Sequence, residues 1–159
     1  MVGRQGSCLS AGEDTELCLA LRLAGWTLRY DPRLRLIHHL PADRLNWPYL
    51  RALQRGFGSA SIQLAPYHAL LGSRGTWLSG KWGYGYLAVL LKLLRYLPWF
   101  WKARWENHEG IHQILAAEWT RAQLIELQRS RRQYGRRLRS LRAIADQLHV
   151  LRTARRLDH

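Results

Sequence analysis

Apolar residues near the N-terminus follow helical spacing. Leu17, Leu21 and Ala24 recur on one face of a helix. The preceding residues 10–13 read Ser-Ala-Gly-Glu, which is the hydroxyl-to-glutamate spacing of a capping box. Gly25 is a residue type that commonly ends helices. The pattern therefore predicts a capped helix that stops at Gly25.

The next residues alternate as strands do. Trp26, Leu28 and Tyr30 alternate with polar residues, and Asp31-Pro32 is a turn signal. A second extended run spans residues 33–39 and is ended by Pro41. This run places three residues on one face: Leu34, Leu36 and His38. Two strands are predicted here.

The middle of the chain contains helix breakers. A short helix is predicted from Trp47 to Gln54, with Pro48 in its first turn. The triplet Gly56-Phe57-Gly58 should break it. Residues 62–80 are poor in charge and rich in Gly, Ser and Pro, so a loop is predicted there.

The most apolar part of the chain is residues 84–105. Lys92, Arg95 and Pro98 interrupt it, so it lacks the uncharged span of about 20 residues that a transmembrane helix needs. Five tryptophans flank its centre, where ring systems suit the headgroup level of a bilayer: Trp77, Trp82, Trp99, Trp101 and Trp105. The segment fits a membrane-interfacial helix, and the alternative is a helix buried against the rest of the protein.

One or two basic helices are predicted at the C-terminus. Residues 119–156 hold 11 arginines against Glu126 and Asp146, a local charge of +9. Apolar residues there follow heptad spacing, with Arg131 as the odd member. The heptad positions are Leu124, Leu127, Arg131, Tyr134, Leu138, Leu141, Ala145 and Leu148.

Composition narrows the class of partner. The chain has 159 residues, is 47% hydrophobic, and carries a net charge of +14 with a pI of about 11.0. This length suffices for one domain with a modest core, and the charge favours an anionic partner. The cysteines, Cys8 and Cys18, form no metal-ligand pattern. Cys18 is expected to be a buried free thiol, and no signal-peptide pattern is seen.

Two adjacent carboxylates open the first helix. Acids in a first helical turn are stabilised by the helix dipole, which is sufficient reason for Glu13 and Asp14 to stand there. A carboxylate kept ionised in this way can also act as a general base toward a substrate hydroxyl. Their spacing alone does not distinguish an ordinary helix start from a catalytic base.

Short motifs in a fixed order supply a further signal. They are Gly3-Arg4-Gln5-Gly6, Ser10-x-Gly12-Glu13-Asp14-x-Glu16-Leu17, Arg22-Leu23-Ala24-Gly25-Trp26, Tyr30-x-Pro32 with His38 six residues later, Pro41-Ala42-x-Arg44-Leu45 and Tyr49-Leu50-x-x-Leu53-x-x-Gly56-Phe57-Gly58. In this order they resemble the C-terminal half of family 2 glycosyltransferases. The resemblance covers roughly residues 3–58 and is weak beyond them.

The resemblance implies an α/β fold, namely the C-terminal part of a GT-A (Rossmann-like) domain, followed here by a mainly helical extension. It implies transfer of a sugar from a nucleotide-diphosphate donor to a sugar or lipid-linked acceptor with inversion. Asp14 would be the catalytic base, and Glu13 would orient the acceptor or the base. Substrate binding would fall to Arg44 and Trp26. His38 would lie near the donor diphosphate or its divalent metal, Mg²⁺ or Mn²⁺, although a histidine on an apolar strand face is otherwise a core residue.

The sequence also departs from that family. The D-x-D motif and the N-terminal donor-binding half are missing. This fragment is therefore expected to bind no metal and to be inactive alone, so its status as an enzyme stays open. The expected parts are residues 1–61 for the partial catalytic domain, 62–110 for the Trp-rich segment and 111–159 for the basic helical region.

Three non-enzymatic readings remain beside this one. An anionic membrane surface would account for the charge next to the Trp-rich segment, with the protein peripheral on the cytoplasmic face. Arginine-rich helices also bind nucleic acid, but no recognition motif appears and aromatics are scarce there, so this partner is disfavoured. The heptads could alternatively pair with the missing half or with a second copy.

Overall fold

The computed structural model describes residues 12–72, 82–105 and 109–157, and over these residues the protein is all-helical. The five α-helices in the described parts are α1 (Glu13–Leu23), α2 (Trp47–Leu70), α3 (Trp82–Trp105), α4 (His112–Ser130) and α5 (Tyr134–Leu157). A short 3₁₀ helix spans Ala42–Arg44. The described ranges contain no strand, so the α/β, GT-A prediction is wrong for them.

The two predicted strands do not form among the described residues. Residues 26–31 and 34–41 have no regular hydrogen-bonded structure, and the Asp31-Pro32 turn between them is confirmed by a bond from Leu34 N to Asp31 O. Apolar side chains along this segment are exposed: Trp26, Leu28, Tyr30, Leu34, Leu36, Ile37 and Leu40. A strand needs neighbouring strands for its backbone hydrogen bonds. The prediction of two strands is therefore wrong for the described residues, which supply no such neighbour.

Helix α1 ends as predicted. Gly25 has φ 81°, and its N–H bonds to Arg22 O while Trp26 N–H bonds to Leu21 O. This pair of bonds is a Schellman motif, which requires a residue with positive φ. At the other end Gly12 is the N-cap and no side chain caps the helix. Ser10, the predicted cap, lies outside the described residues.

The buried face of α1 differs from the expected one. Glu16 and Leu19 are buried against α2, whereas Leu17 is 62% exposed. Cys18 is also exposed, so the expectation of a buried thiol is wrong. Helical spacing placed the apolar residues on common faces, but α1 turns a different face toward its neighbour.

Helix α2 continues far beyond the predicted break. It begins after Asn46, whose side chain accepts a 2.8 Å bond from Tyr49 N, and Pro48 lies in the first turn as predicted. It then runs through Gly56, Gly58 and Pro66 to Leu70. The predicted break at residues 56–58 and the predicted loop over residues 62–70 are therefore wrong. Residues 73–80 of that loop lie outside the described residues.

Helices α2 and α4 form the central pair and run in the same direction. Arg51 on α2 bonds to Glu118 on α4, and Ser59, eight residues later, bonds to Glu126, also eight residues later. A constant separation along the chain is the mark of parallel neighbours. Gly58 is buried at their crossing, where its small size allows the close approach.

Two apolar clusters stabilise the bundle. One joins α1 and α2 through Leu19, Ala60, Leu64 and Tyr67, with Leu141 of α5 packed against it. The other joins α2, α3 and α4 through Ile62, Ala65, Val89 and Leu127. Burial of such side chains contributes roughly 1.5–3 kcal/mol each. The heptad residues Leu124, Leu127 and Tyr134 are used in this second cluster, inside one molecule.

Arg131, the one charged residue among the heptad positions, contacts the start of α3. Arg131 lies just after α4, and its guanidinium carbon is 5.0 Å from the centroid of the Trp82 ring. Trp82 in turn stacks on Tyr86 and donates a 3.1 Å bond from Nε1 to Leu127 O. The C-terminal region is therefore two helices, with the turn at residues 131–133 held against the start of α3.

Helix α3 packs one face on α4 and exposes the other. Gly85 and Val89 are buried, while Leu87, Leu91 and Leu94 are more than half exposed. Within the described parts of the chain, none of the helices has the length and apolar character needed to cross a membrane. Burial against the rest of the protein is confirmed for one face of α3, and the membrane-interfacial interpretation of the exposed face stays a prediction.

Candidate functional site

A cavity of about 640 Å³ opens beside the N-terminus of α1. Its walls come from the first turn of α1, from one face of α2 and from α4. The lining residues are Gly12, Glu13, Asp14, Thr15, Phe57, Ala60, Ser61, Leu64, His68 and Trp119. Two of the five predicted site residues, Glu13 and Asp14, are thus brought to one concave surface.

The two carboxylates lie where a helix favours negative charge. Glu13 and Asp14 are the first two residues of α1 and are exposed to the cavity and to solvent. The backbone N–H groups of the first turn place a partial positive charge there, which stabilises a negatively charged group by roughly 0.3–1 kcal/mol. An ionised, accessible carboxylate at a cavity can accept a proton from a bound hydroxyl.

An aromatic pair faces the cavity from α2 and α4. The ring centroids of Phe57 and Trp119 are 6.2 Å apart, and the ring planes meet at 35°. Phe57 remains 36% exposed, so part of its ring is available to a ligand. Aromatic rings offer large apolar contact at little cost in conformational entropy. A polar ligand with one apolar face fits this combination of rings and carboxylates.

The α2 wall follows helical spacing that could have been read from the sequence. Phe57, Ser61, Leu64 and His68 recur at intervals of four, three and four residues, so they share one face. Because a break was predicted at residues 56–58, this face was not recognised. Trp119 carried no comparable signal, since only packing of α4 on α2 brings it there.

A buried polar network fixes the start of α1 beside this cavity. The Tyr67 hydroxyl donates a 3.0 Å bond to Glu16 Oε1, and Arg137 Nη2 lies 3.3 Å from the same oxygen. Burial raises the pKa of Tyr67, and the neighbouring Glu16 raises it further through its hydrogen bond and its charge. The phenol therefore stays a neutral donor. Glu16 thus joins α1 to both α2 and α5, two residues after Asp14.

A second buried carboxylate supports the cavity wall from behind. Glu118 precedes Trp119 on α4 and is buried, with only 1% exposure. Arg51 donates to its Oε1 from Nε at 2.9 Å and from Nη2 at 2.5 Å. Arg55 Nη1 lies 3.2 Å from Oε2 as an ion pair, although this oxygen has no hydrogen-bond partner of good geometry. These contacts set the position of α4 relative to α2, and with it that of Trp119.

The other predicted site residues lie elsewhere. Trp26 is 68% exposed in the segment between α1 and α2, and neither Trp26, His38 nor Arg44 lines the cavity. His38 and His39 are both exposed. Over the described ranges no group of three or more His, Cys, Asp or Glu side chains is placed to hold a metal ion. These residues alone do not fit the divalent metal that the resemblance implies, so no chemical step is derived through one.

Comparison of the chain with protein-family models, with curated proteins and with solved structures finds no match.

Proposed function

We propose that this protein carries the acceptor-binding and catalytic-base part of an inverting glycosyltransferase. The donor-binding part would be supplied from outside residues 12–157. The observation that carries the proposal is the shared cavity, which is lined by Glu13 and Asp14 together with Phe57 and Trp119. The order of motifs over residues 3–58 supports the same assignment.

Asp14 is assigned the role of general base. Its carboxylate would take the proton of an acceptor hydroxyl as that oxygen attacks the anomeric carbon of the donor sugar. The new bond joins the acceptor oxygen to this carbon, and the bond from the carbon to the diphosphate breaks on the opposite side. The nucleoside diphosphate leaves with the electron pair, which accounts for inversion. Glu13 would hold the acceptor in the orientation that this attack needs.

The aromatic pair is assigned to the acceptor sugar. A pyranose ring has one face of C–H groups, and Phe57 and Trp119 offer that face an apolar contact. Its hydroxyl groups would then point toward the carboxylates and toward His68. Pockets that combine apolar walls with a few polar groups are the usual form of a small-molecule site.

The proposed location is the cytoplasmic face of a membrane, with the protein bound peripherally. The net charge of +14 favours the anionic surface of that leaflet. A lipid-linked acceptor would be presented at the same surface. The alternative function is a basic protein without enzymatic activity that binds a membrane, nucleic acid or a partner helix.

Saccharide titration of the full chain, followed by backbone amide NMR, tests the binding part of the proposal. Neutral mono- and oligosaccharides and a soluble lipid-linked saccharide are added in turn. Shifts concentrated at Gly12–Thr15, Phe57 and Trp119 are expected for at least one of them. Absence of any saccharide-induced shift there would favour the alternative function.

Transfer by the chain combined with its donor-binding part tests the base. Asp14→Asn should abolish transfer and leave acceptor binding within about twofold, because the amide cannot take the proton. Asp43→Asn is the matched control, since this exposed carboxylate lies in the 3₁₀ helix and does not line the cavity. Normal turnover by Asp14→Asn would refute the assignment. An in-frame D-x-D motif encoded upstream of Met1 would identify the donor-binding part.

A further inference from the structure

A straight row of apolar residues runs along the exposed face of α3. Its members are Tyr84, Leu87, Leu91, Leu94, Pro98 and Trp101, at intervals of three and four residues. Tyr84 is 69% exposed, Leu91 58% and Trp101 65%. Alternating steps of three and four keep residues in line along one helix face. The row spans 17 steps from Tyr84 to Trp101, or about 26 Å at 1.5 Å per residue.

This row lies on the side of α3 that the bundle does not use. The opposite side is occupied by Trp82, Tyr86 and Val89, which pack in the cluster with Leu127 of α4. The helix is therefore anchored to the protein through one apolar face and presents a second one outward. Contiguous exposed apolar surface of this kind marks an interaction site.

A row of cations borders the apolar row on one edge. Lys92, Arg95 and Lys102 each follow a member of the apolar row directly in sequence. One residue along a helix is a rotation of about 100°, so all three cations fall on the same side of the apolar row. All three are exposed, and the Lys102 ammonium lies 5.8 Å from the Trp99 ring. Residues 82–105 contain no acidic side chain.

We propose that this face of α3 binds an anionic lipid surface, with the helix lying flat in the headgroup region. The apolar row would enter the acyl boundary, Lys92, Arg95 and Lys102 would meet lipid phosphates or carboxylates, and Tyr84 and Trp101 would anchor the two ends. This inference deepens the proposed peripheral location and rests on it. It does not depend on sugar transfer.

The charges on α3 favour an anionic lipid surface over a second copy of the chain and over nucleic acid. A second copy of α3 would bring cations against cations with no carboxylate on either helix to offset them. Nucleic acid would satisfy the cations but leave about 26 Å of apolar row in water. An anionic bilayer would remove the apolar row from water and would also offer negative charges to the cations.

Vesicle flotation of the full chain tests the proposal. The probes are phosphatidylcholine vesicles and phosphatidylcholine vesicles containing phosphatidylserine, at low salt and at physiological salt. The wild-type chain should bind the anionic vesicles only, and more weakly at the higher salt. The triple variant Lys92→Gln/Arg95→Gln/Lys102→Gln should lose affinity on the order of 100-fold, since each cation near an anionic leaflet contributes a factor of about five.

A second triple variant is the matched control. Arg136→Gln/Arg139→Gln/Arg142→Gln removes three exposed arginines on α5, so both triples lower the net charge from +14 to +11. At physiological salt the control should keep its affinity within about threefold, because exposed charges separated by more than a Debye length of about 8 Å are largely screened there. Leu91→Gln/Leu94→Gln tests the apolar row without changing charge and should weaken binding at least tenfold. Circular dichroism verifies that each variant is folded.

Three results would overturn the inference. The first is failure of the folded wild-type chain to float with anionic vesicles at low salt. The second is equal loss in the two triple variants, which would mean that overall charge alone drives binding. The third is undiminished vesicle binding by Leu91→Gln/Leu94→Gln, together with tight binding to DNA that the α3 triple loses, which would assign the cations to nucleic acid. A loss of sugar transfer by Asp14→Asn bears on the proposed function only.

Discussion

At the crossing of α2 and α4, the α-carbon of Gly58 faces the backbone carbonyl oxygen of Trp119. A β-carbon at position 58 would overlap that oxygen and lie 3.0 Å from the β-carbon of Ala122. The opposing atom is backbone, so it cannot rotate away as a flexible side chain would. The glycine therefore sets how closely the two central helices approach, and it positions Trp119 against the cavity.

Gly58→Ala is expected to destabilise the protein by about 2 kcal/mol or more, because the helices must separate to relieve the overlap. Gly135→Ala is the matched control in α5, where a β-carbon would meet nothing within 4 Å. That substitution should stabilise the protein by up to about 1 kcal/mol, since alanine favours helix. Urea unfolding followed by circular dichroism measures both. Equal effects of the two substitutions would show that the α2–α4 approach is looser than described.

Arg51→Met is expected to cost about 3 kcal/mol, because it removes the guanidinium that donates two hydrogen bonds to Glu118 and leaves this buried carboxylate with the Arg55 ion pair. The double variant Arg51→Met/Glu118→Leu removes the charge as well and should recover most of that loss. Chemical denaturation of Arg51→Met, Glu118→Leu and the double variant completes the cycle. Additive effects would mean that the pair does not interact energetically.

Tyr67→Phe is expected to lower stability at neutral pH by about 2 kcal/mol, because the ionised acceptor Glu16 loses its 3.0 Å donor. The pKa of Tyr67 is raised in the folded protein, so its contribution is fully present below the ordinary tyrosine pKa of 10.0. That contribution is lost as pH rises from about 10 through the folded pKa.

The loss of stability above pH 10 should therefore be shallower in Tyr67→Phe than in the wild-type chain. It should not vanish, since burial also raises the pKa of Tyr134. Tyr30→Phe serves as the control, because Tyr30 is 87% exposed. Thermal unfolding across this pH range measures the slopes. A Tyr67→Phe slope identical to the wild-type slope would contradict the assigned pKa shift.

Phe57→Ala is expected to weaken saccharide binding at least tenfold while lowering stability by only about 1 kcal/mol, since the ring is already partly exposed. Trp26→Ala is the matched aromatic control. The resemblance assigned Trp26 to substrate binding, but its side chain does not line the cavity, so binding should be unchanged. Amide NMR titration measures saccharide binding by both variants. If only Trp26→Ala loses binding, the acceptor site lies in the segment between α1 and α2 and not at the cavity.

Local features of the sequence were read correctly where the physics is local. Gly25 ends α1 because positive φ suits glycine, and its bonds involve residues within one turn. Pro48 stands in the first turn of α2, where its missing N–H costs nothing. The pair Glu13 and Asp14 was placed at a helix start because dipole stabilisation acts within the first turn.

Features that depend on partners could not be read in the same way. Trp26, Leu28 and Tyr30 alternate as a strand does, but a strand exists only when a neighbour accepts its hydrogen bonds. Gly56 and Gly58 have low helix propensity, yet α2 passes through both because packing on α4 outweighs about 1 kcal/mol per glycine. Cys18 is exposed because α1 packs on the bundle through the face that contains Glu16 and Leu19, and Cys18 lies outside that face.

The sequence by itself therefore determined the basic charge, the end of α1 at Gly25 and the carboxylates at the start of α1, because each depends on composition or on residues within a turn. Only the tertiary structure decided which helix faces are buried and that Phe57, His68 and Trp119 meet those carboxylates. It also decided that α3 keeps a second apolar face outside the bundle. These outcomes depend on contacts between residues as far apart as Arg51 and Glu118, whose geometry no local pattern encodes.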